Sequence, residues 1–439
     1  MTALSNVVIV NISRQTAAVA RASFGVPAII AEFATTKTTV AFDRYRYYGS
    51  LTEAATDGWA DGDAVYDALS KVFGQKQTPT SVMVGRIDST DASVTAALNA
   101  IQVATNNWYG FGLAGITSGV LTLSTDLIAD NSIASTINGV TVAPVVYATS
   151  HADTMTAWET AIESAIPGAT ATAVGAVMTV ALAGTDISPV SAVVTLGASQ
   201  PTVTASYVTD STDSLAAAAW ASTQVKIFGH ADANVATLDP SSTTDLGYVF
   251  KGLSYDRTFT IYHALPHEYA QFAWLGLELP KDPGQSCWAT KTLQGVTPDV
   301  ISEGAFTALS DKNVASYTTI GGVSVTLYGV VASGEAIEVI RNVDYCASEI
   351  QADQYALQVQ RDIIPGNDSG VGLKENTLRG TLSRMEVEGV LQPNSSVVTV
   401  DKWADISAAD KAARSLPMAF ESGIQNAIVK TVINGVVTL

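Results

Sequence analysis

Two apolar runs of strand length, Val26–Phe33 and Ser81–Ile87, bracket a segment from Asp63 to Phe73 in which Val65, Leu69 and Val72 recur at helical spacing. Apolar residues three and four apart make one face of a helix, whereas a short unbroken apolar run suits a strand covered on both sides. Strand, helix and strand in that order demand a sheet with helices packed on it, so residues 21–114 predict the first part of a mixed α/β core. Thr38–Tyr48 reads as a further strand of the same layer.

Between about Gly115 and Asp213 the composition shifts to Ala, Thr, Val and Ser, and Lys and Arg vanish. This predicts an inserted α+β domain. Ile137-Asn138-Gly139-Val140 begins a strand or turn, Thr154–Ala165 is a helix built on Trp158, Ile162 and Ala165, and Thr170–Ala183 and Val190–Leu196 are strands, with Pro167-Gly168 and Ser188-Pro189 as punctuation.

The core resumes over 214–390. A helix at Ser214–Ser222, strands near Gln224–Phe228 and Phe259–His263, and a helix over His267–Leu277 lead to a hairpin around Gly321-Gly322. A long helix follows from Ala336 to Ile363 with a break near Asn342, closed by Pro365-Gly366-Asn367-Asp368. The next helix carries Val371, Leu378, Leu382 and Met385 on one face. The segment 391–425 adds a strand at Ser396–Val400 and a helix opened by Ser407 three residues before Asp410, in outline a capping box.

Both ends read as strands outside the main core: residues 1–20 form an extended arm through Val7, Val8, Ile9, Val10 and Ile12, and residues 426–439 form another through Ile428, Val429, Val432, Ile433, Val436 and Val437.

The chain has 23 basic and 41 acidic residues, a net charge of −18 that repels nucleic acid and anionic membrane. Charged residues make up only 15% of it, against about 25% in an ordinary soluble protein, which suits a surface covered by neighbours, since burying Thr or Ala costs far less than burying an unpaired charge. No Lys or Arg precedes Arg14 and no apolar stretch approaches the roughly 18 residues that cross a bilayer, so neither an export signal nor membrane insertion is expected. Cys287 and Cys346, far apart and outside any CxxC spacing, read as buried reduced thiols.

Catalytic motifs are weak. Gly110, Gly112 and Gly115 fit GxGxxG, but the β-like Ile116–Leu123 follows where a phosphate-binding helix is needed, so they read as a loop. His263, His267 and Glu268 look metal-like, yet Pro266 forbids a regular helix through both histidines, and they read as a strand end and a helix start. His151 and His230 are isolated. Asp57, Asp61 and Asp63 depart from calcium-loop spacing and read as a turn and cap. Arg44 and Arg46 among Tyr45, Tyr47 and Tyr48 read as one polar face of a strand. No catalytic, cofactor or metal site is expected.

The block Leu309–Gly334 (LSDKNVASYTTIGGVSVTLYGVVASG), with Thr258–Tyr262 (TFTIY), Ala273–Leu277 (AWLGL), Trp288–Pro298 (WATKTLQGVTP) and Ala336–Gln351 (AIEVIRNVDYCASEIQ), resembles contractile bacteriophage tail sheath proteins, in the branch long catalogued as a phage family of unknown function. The resemblance covers most of 245–390 and includes the ends DISAADKAARSLP and AIVKTVINGVVTL. It implies a sheath-type multidomain core, an insert facing outward, terminal arms that join sheets in neighbouring subunits, and a carboxy-terminal helix with Asp410, Lys411 and Arg414 against an inner tube. It further implies a homo-oligomeric helical sheath of stacked rings in a virion assembled in a bacterial cytoplasm. The partners implied are tail tube, baseplate and tail terminator proteins, with no nucleic acid. A tube or shell protein of a virion, or a non-catalytic surface-layer or adhesin-like protein, is the competing expectation.

Overall fold

The computed structural model describes residues 23–429, apart from Ala183 and Ala198. Contacts divide them into two compact units, one built on 23–342 and one on 343–425.

The first unit begins with β1 (Pro27–Glu32), β2 (Tyr45–Tyr48), α1 (Leu51–Asp57), α2 (Ala64–Phe73), β3 (Val82–Ile87), α3 (Val94–Ala104) and β4 (Gly110–Ala114). After β4 come β5 (Thr117–Leu123), β6 (Ser132–Ile137), β7 (Val140–Val146), α4 (His151–Ala165), β8 (Thr170–Val174), β9 (Val177–Ala181), β10 (Val190–Thr195) and β11 (Val203–Thr209). The chain then returns through α5 (Ser211–Ala221), β12 (Ile227–Asp232), α6 (Leu246–Gly252), β13 (Thr258–Tyr262), α7 (Ala270–Glu278), α8 (Glu303–Asp311), β14 (Val314–Ile320) and β15 (Val323–Leu327).

Eight of these strands form one sheet in the order β15-β14-β13-β12-β4-β1-β3-β2, parallel throughout except for the two outermost strands. A parallel strand needs a crossover, and helices cover both faces. Ala28, Ile30, Phe111 and Phe228 face Leu98 and Ile101 of α3 and Ala217 and Trp220 of α5. The alternate residues of β4 are Gly110 and Gly112, where a Cβ would come within 2.7 Å of Leu275 and 2.9 Å of Phe272 on α7. The glycines let α7 lie directly on the strand; they belong to a buried strand, where the sequence suggests a loop.

Thr38–Tyr48 is strand only from Tyr45; residues 38–44, after a 3-10 turn at Thr35–Lys37, are bends and irregular chain. The helix expected from His267 starts at Ala270, after a 3-10 turn opened by Pro266.

The segment after β4 builds two antiparallel sheets, β10-β6-β7 and β11-β5-β9-β8, around a core of their own with Trp158 of α4 fully buried and its Nε1–H donating to Ser135 Oγ at 3.0 Å. It holds more strands than its sequence suggests. Asn138-Gly139, both at positive φ, is a two-residue hairpin turn joining β6 to β7, and Gly175 at φ 57° splits Thr170–Ala183 into the hairpin β8–β9. Asp186 anchors this module to the sheet: its carboxylate accepts the Gly115 N–H (3.1 Å), the Thr117 N–H (2.6 Å) and the Tyr269 hydroxyl. Ser188 Oγ bonds His267 Nδ1 at 2.9 Å.

Helix α9 (Ile337–Val359) is continuous through Asn342, where a break was expected, and the boundary between the two units falls within it at Asn342/Val343. On its first turns the buried Arg341 guanidinium donates to the carbonyls of Phe24, Glu278, Leu279 and Lys281, closing the carboxyl end of α7.

The second unit contains the rest of α9, then α10 (Asp368–Glu388), β16 (Val397–Thr399), α11 (Ala408–Ala413) and β17 (Ala419–Glu421). Asn367 caps α10 by accepting the Gly370 N–H, and Gly389 ends it in the left-handed region. Val371, Leu378, Leu382 and Met385 are all buried, the last three packed with Cys346, Val390, Leu391 and Val398.

Candidate functional site

In the second unit, β16 and β17 form an antiparallel pair through Val397↔Glu421, Val398↔Phe420 and Thr399↔Ala419. Supports from the same unit hold it: Arg379 Nη2 donates to the Val398 carbonyl at 3.0 Å, the Ser395, Ser396 and Ser422 hydroxyls interlock at 3.0 Å, and Leu391 bridges Ile424. Each strand keeps one side with no partner strand among the described residues. All three residues of β17 are exposed, as is Val397, and Phe420 is 40% exposed. A two-stranded sheet is marginal by itself, and an exposed apolar edge is a template for another strand.

A concavity of about 920 Å³ lies in the same unit, with Ile363, Trp403 and Met418 in its wall, and four cations, Arg361, Lys374, Lys411 and Arg414, against a single carboxylate, Asp362, around it. None of these four cations has an ion pair among the described residues, although Arg379 and Arg384 nearby in sequence do. Lys374 Nζ donates to the Gln354 carbonyl (3.3 Å) and burial pushes its pKa down. Lys411 Nζ donates to the Ala404 carbonyl (2.9 Å) and sits over the Trp403 ring. Arg414 ends α11 at φ 56°. Asp410 instead serves the helix start, accepting from Ser407 Oγ at 2.6 Å and Ser415 Oγ at 3.0 Å, bonds that hold its pKa low. The sequence singled out Lys411 and Arg414; Arg361 and Lys374, about 40 to 50 residues earlier, gave no signal that they join them.

Of the arm positions, Ile428 and Val429 are 90% and 56% exposed. Val7, Val8, Ile9, Val10, Ile12, Val432, Ile433, Val436 and Val437 lie outside the described residues.

The other motifs have structural explanations. His263 is buried between two carboxylates, with Nδ1 2.9 Å from Asp299 and Nε2 3.1 Å from Glu268. Burial opposes its charge, but the hydrogen bonds to Asp299 and Glu268 outweigh it and raise its pKa. Glu268 is likewise desolvated, yet His263 and the Thr297 backbone and hydroxyl pull it down to about 2. Asp299, 36 residues from His263, is the member that spacing could not reveal. Asp57 accepts from Tyr48 and Arg46, Asp63 pairs with Lys37 at 2.6 Å, and Arg44 pairs with Asp91 at 2.5 Å. Gly115 lies at φ 77° with no room for a side chain, since a Cβ would sit 2.4 Å from Gly184. At the carboxyl ends of parallel strands, where doubly wound sheets hold ligands, a crevice of about 450 Å³ is lined by the roots of the inserted module and by Glu32, Asp210 and Asp213. Asp210 is spent on capping α5. Among the described residues no helix is long and apolar enough to cross a membrane.

No family model matches the sequence, and no curated protein matches it. Solved structures do match its fold along nearly the whole chain. The helical sheath of the anti-feeding prophage (AFP) in its contracted state has a TM-score of 0.53 at 11% identity over 99% of both chains. A chain of the AFP baseplate gives 0.51 at 11% identity over 100% of both, and the sheath complex of the extracellular contractile injection system PVC, contracted, gives 0.51 at 9% identity over 97% of this chain and 96% of that one. End to end, in its mixed α/β layers and several sheets, this chain has the fold of the sheath and baseplate chains of contractile injection systems.

Proposed function

We propose that this chain is the subunit of a contractile tail sheath, a non-enzymatic particle component that polymerises helically around an inner tube and shortens to drive it through a bacterial envelope. One observation carries the reading: among the described residues a chain with this fold leaves a two-stranded sheet with no further strand on either side and with all three residues of β17 exposed. An unfinished sheet is completed by strands from elsewhere, and the β-rich segments 1–20 and 426–439 of neighbouring copies have the right composition. At about 0.5–1.5 kcal/mol net per main-chain hydrogen bond, two added strands stay attached while weaker contacts break and re-form. One copy donating to the next is a heterologous contact, which propagates into rings and helices instead of closing as a dimer.

The basic concavity supplies the second contact. The terminal segments carry no Asp or Glu in 1–20 or 426–439, so they do not match four cations that have no ion pair among the described residues; the acidic partner is assigned to the tube. Exposed charge pairs hold weakly enough to release on contraction. The baseplate and a tail terminator bound the assembly, and a bacteriophage tail is the particle we assign.

Negative-stain microscopy of the purified protein, with and without residues 1–20, tests this. Tubes or ring stacks that vanish on truncation are expected; a monodisperse monomer in both samples overturns the reading. Charge reversal of Lys411 and Arg414 is expected to abolish extended assembly on the tube while arm-dependent rings persist, and unchanged assembly on the tube removes the concavity from the account.

A further inference from the structure

Among the described residues β8 is the outermost strand of its four-stranded sheet, and α4 lies along it on the side away from β9. In an antiparallel pair, alternate residues turn their N–H and C=O groups toward the neighbouring strand and away from it. On β8 the outward N–H groups are those of Ala171 and Ala173, and both are held by α4: Ala171 N donates to Glu163 Oε1 at 3.1 Å, and Ala173 N donates to Glu159 Oε1. Residues four apart on a helix rise by about 6 Å and residues two apart on a strand by about 6.8 Å, so carboxylates at i and i+4 fall opposite alternate N–H groups. His151, the first residue of α4, continues the same order, with Nε2 3.0 Å from the carbonyl of Gly175 in the β8–β9 turn. Trp158 and Ile162, beside the two glutamates in sequence, are fully buried in the core of the module and fix which side of α4 meets β8.

Lysine commonly guards an open strand edge, but residues 115–213 contain no Lys or Arg. Thr170, Thr172 and Val174 of β8 are all exposed, so an unguarded β8 would offer an uncharged, β-branched edge to any extended segment. We propose that Glu159 and Glu163 are specificity-determining residues: they stand in for a neighbouring strand, close β8 to incoming chain, and steer strands donated by other copies toward the β16–β17 pair. That steering rests on the sheath reading above, whereas the closure of β8 stands without it. On the other flank of α4, β7 carries Pro144, which has no N–H to offer a new strand.

Hydrogen exchange of the full chain, followed by mass spectrometry over residues 170–175, tests the closure. In Glu159→Ala/Glu163→Ala the Ala171 and Ala173 amides are expected to exchange roughly 10- to 150-fold faster than in the wild type, each having lost one charge-assisted bond, while β5 and β9 keep their rates. Alanine favours a helix, so α4 persists. Glu159→Gln/Glu163→Gln keeps an acceptor oxygen at each position and is expected to restore slow exchange. Unchanged rates in the alanine pair, or a glutamine pair that exchanges as fast as the alanine pair, overturn the closure. A synthetic peptide of residues 426–439, added in excess, tests the steering. It is expected to slow exchange at 170–175 in the alanine pair only, and at 397–399 and 419–421 in both proteins. Protection of 170–175 in the wild type, or none there in the alanine pair, overturns the steering. Absence of protection at 397–399 and 419–421 counts against the sheath reading instead, so the two failures are told apart.

Discussion

In the unit built on 23–342, β13 has all five residues buried and a parallel neighbour on each side, whereas β17 in the unit built on 343–425 has all three residues exposed and one neighbour. The large sheet ends in antiparallel strands, and its β2 edge is only four residues long and carries Arg46 paired to Asp57, features that discourage further pairing. The small sheet rests on a core of seven buried residues, and its outward side chains include Val397 and Phe420. Among the described residues the β2 edge of the large sheet is short and charged, while the small sheet keeps an exposed edge at β17, where neighbouring strands are proposed to add. On that proposal, stability and association are divided between the two units.

Four changes break or sharpen that division, in falling order of effect on the isolated chain. Arg341→Met removes the donor that the carbonyls of Phe24, Glu278, Leu279 and Lys281 share at the end of α7, three of these bonds being buried, so a loss of about 3–5 kcal/mol is expected in urea unfolding followed by tryptophan fluorescence, since six of the seven tryptophans lie in the first unit. Leu382→Ala opens the small core at a cost of about 2–5 kcal/mol; Trp403, in the second unit, is expected to report an earlier transition while the other tryptophans change little.

The third change concerns pH. A histidine whose folded pKa is raised contributes stability that is fully present below its ordinary value, about 6.5, and lost as pH rises through the folded value. Glu268, depressed to about 2, contributes above its ordinary range and loses that contribution as pH falls through about 2. Stability of the first unit is therefore expected to decline above neutral pH, and His263→Gln to flatten that decline; an unchanged slope shows that His263 is not charged in the fold. Smallest on the monomer, Val397→Lys with Phe420→Lys alters exposed positions and is expected to shift unfolding by no more than about 0.5 kcal/mol while abolishing tubes in electron micrographs. Tubes that survive show that the β16–β17 pair is not where neighbouring strands add.

Reading the sequence located the elements whose burial is written locally. Val26–Phe33, Ser81–Ile87 and Phe259–His263 are rich in apolar residues and coincide, within a few residues at their ends, with the central strands β1, β3 and β13. Val371, Leu378, Leu382 and Met385 kept their helical face. Helix α3 and strand β4 were missed: β4 is rich in glycine and carries little apolar signal, because α7 supplies the bulk that its side chains lack. Of the candidate interface, Lys411 and Arg414 were legible on their short capped helix, but the concavity was not, because Arg361 and Lys374 come from other elements.

By itself the sequence determined the strands and helices whose apolar pattern is continuous along the chain, and that a module without Lys or Arg interrupts the core. These properties reside in neighbouring residues and in sums over the chain. Only the tertiary structure decided that Gly110 and Gly112 admit a helix, that Asp299 completes a charged cluster with His263, that Asp186 fastens the inserted module, and that four cations share one hollow. Parallel crossovers and helix packing bring together residues tens of positions apart, and spacing along the chain carries no record of that meeting.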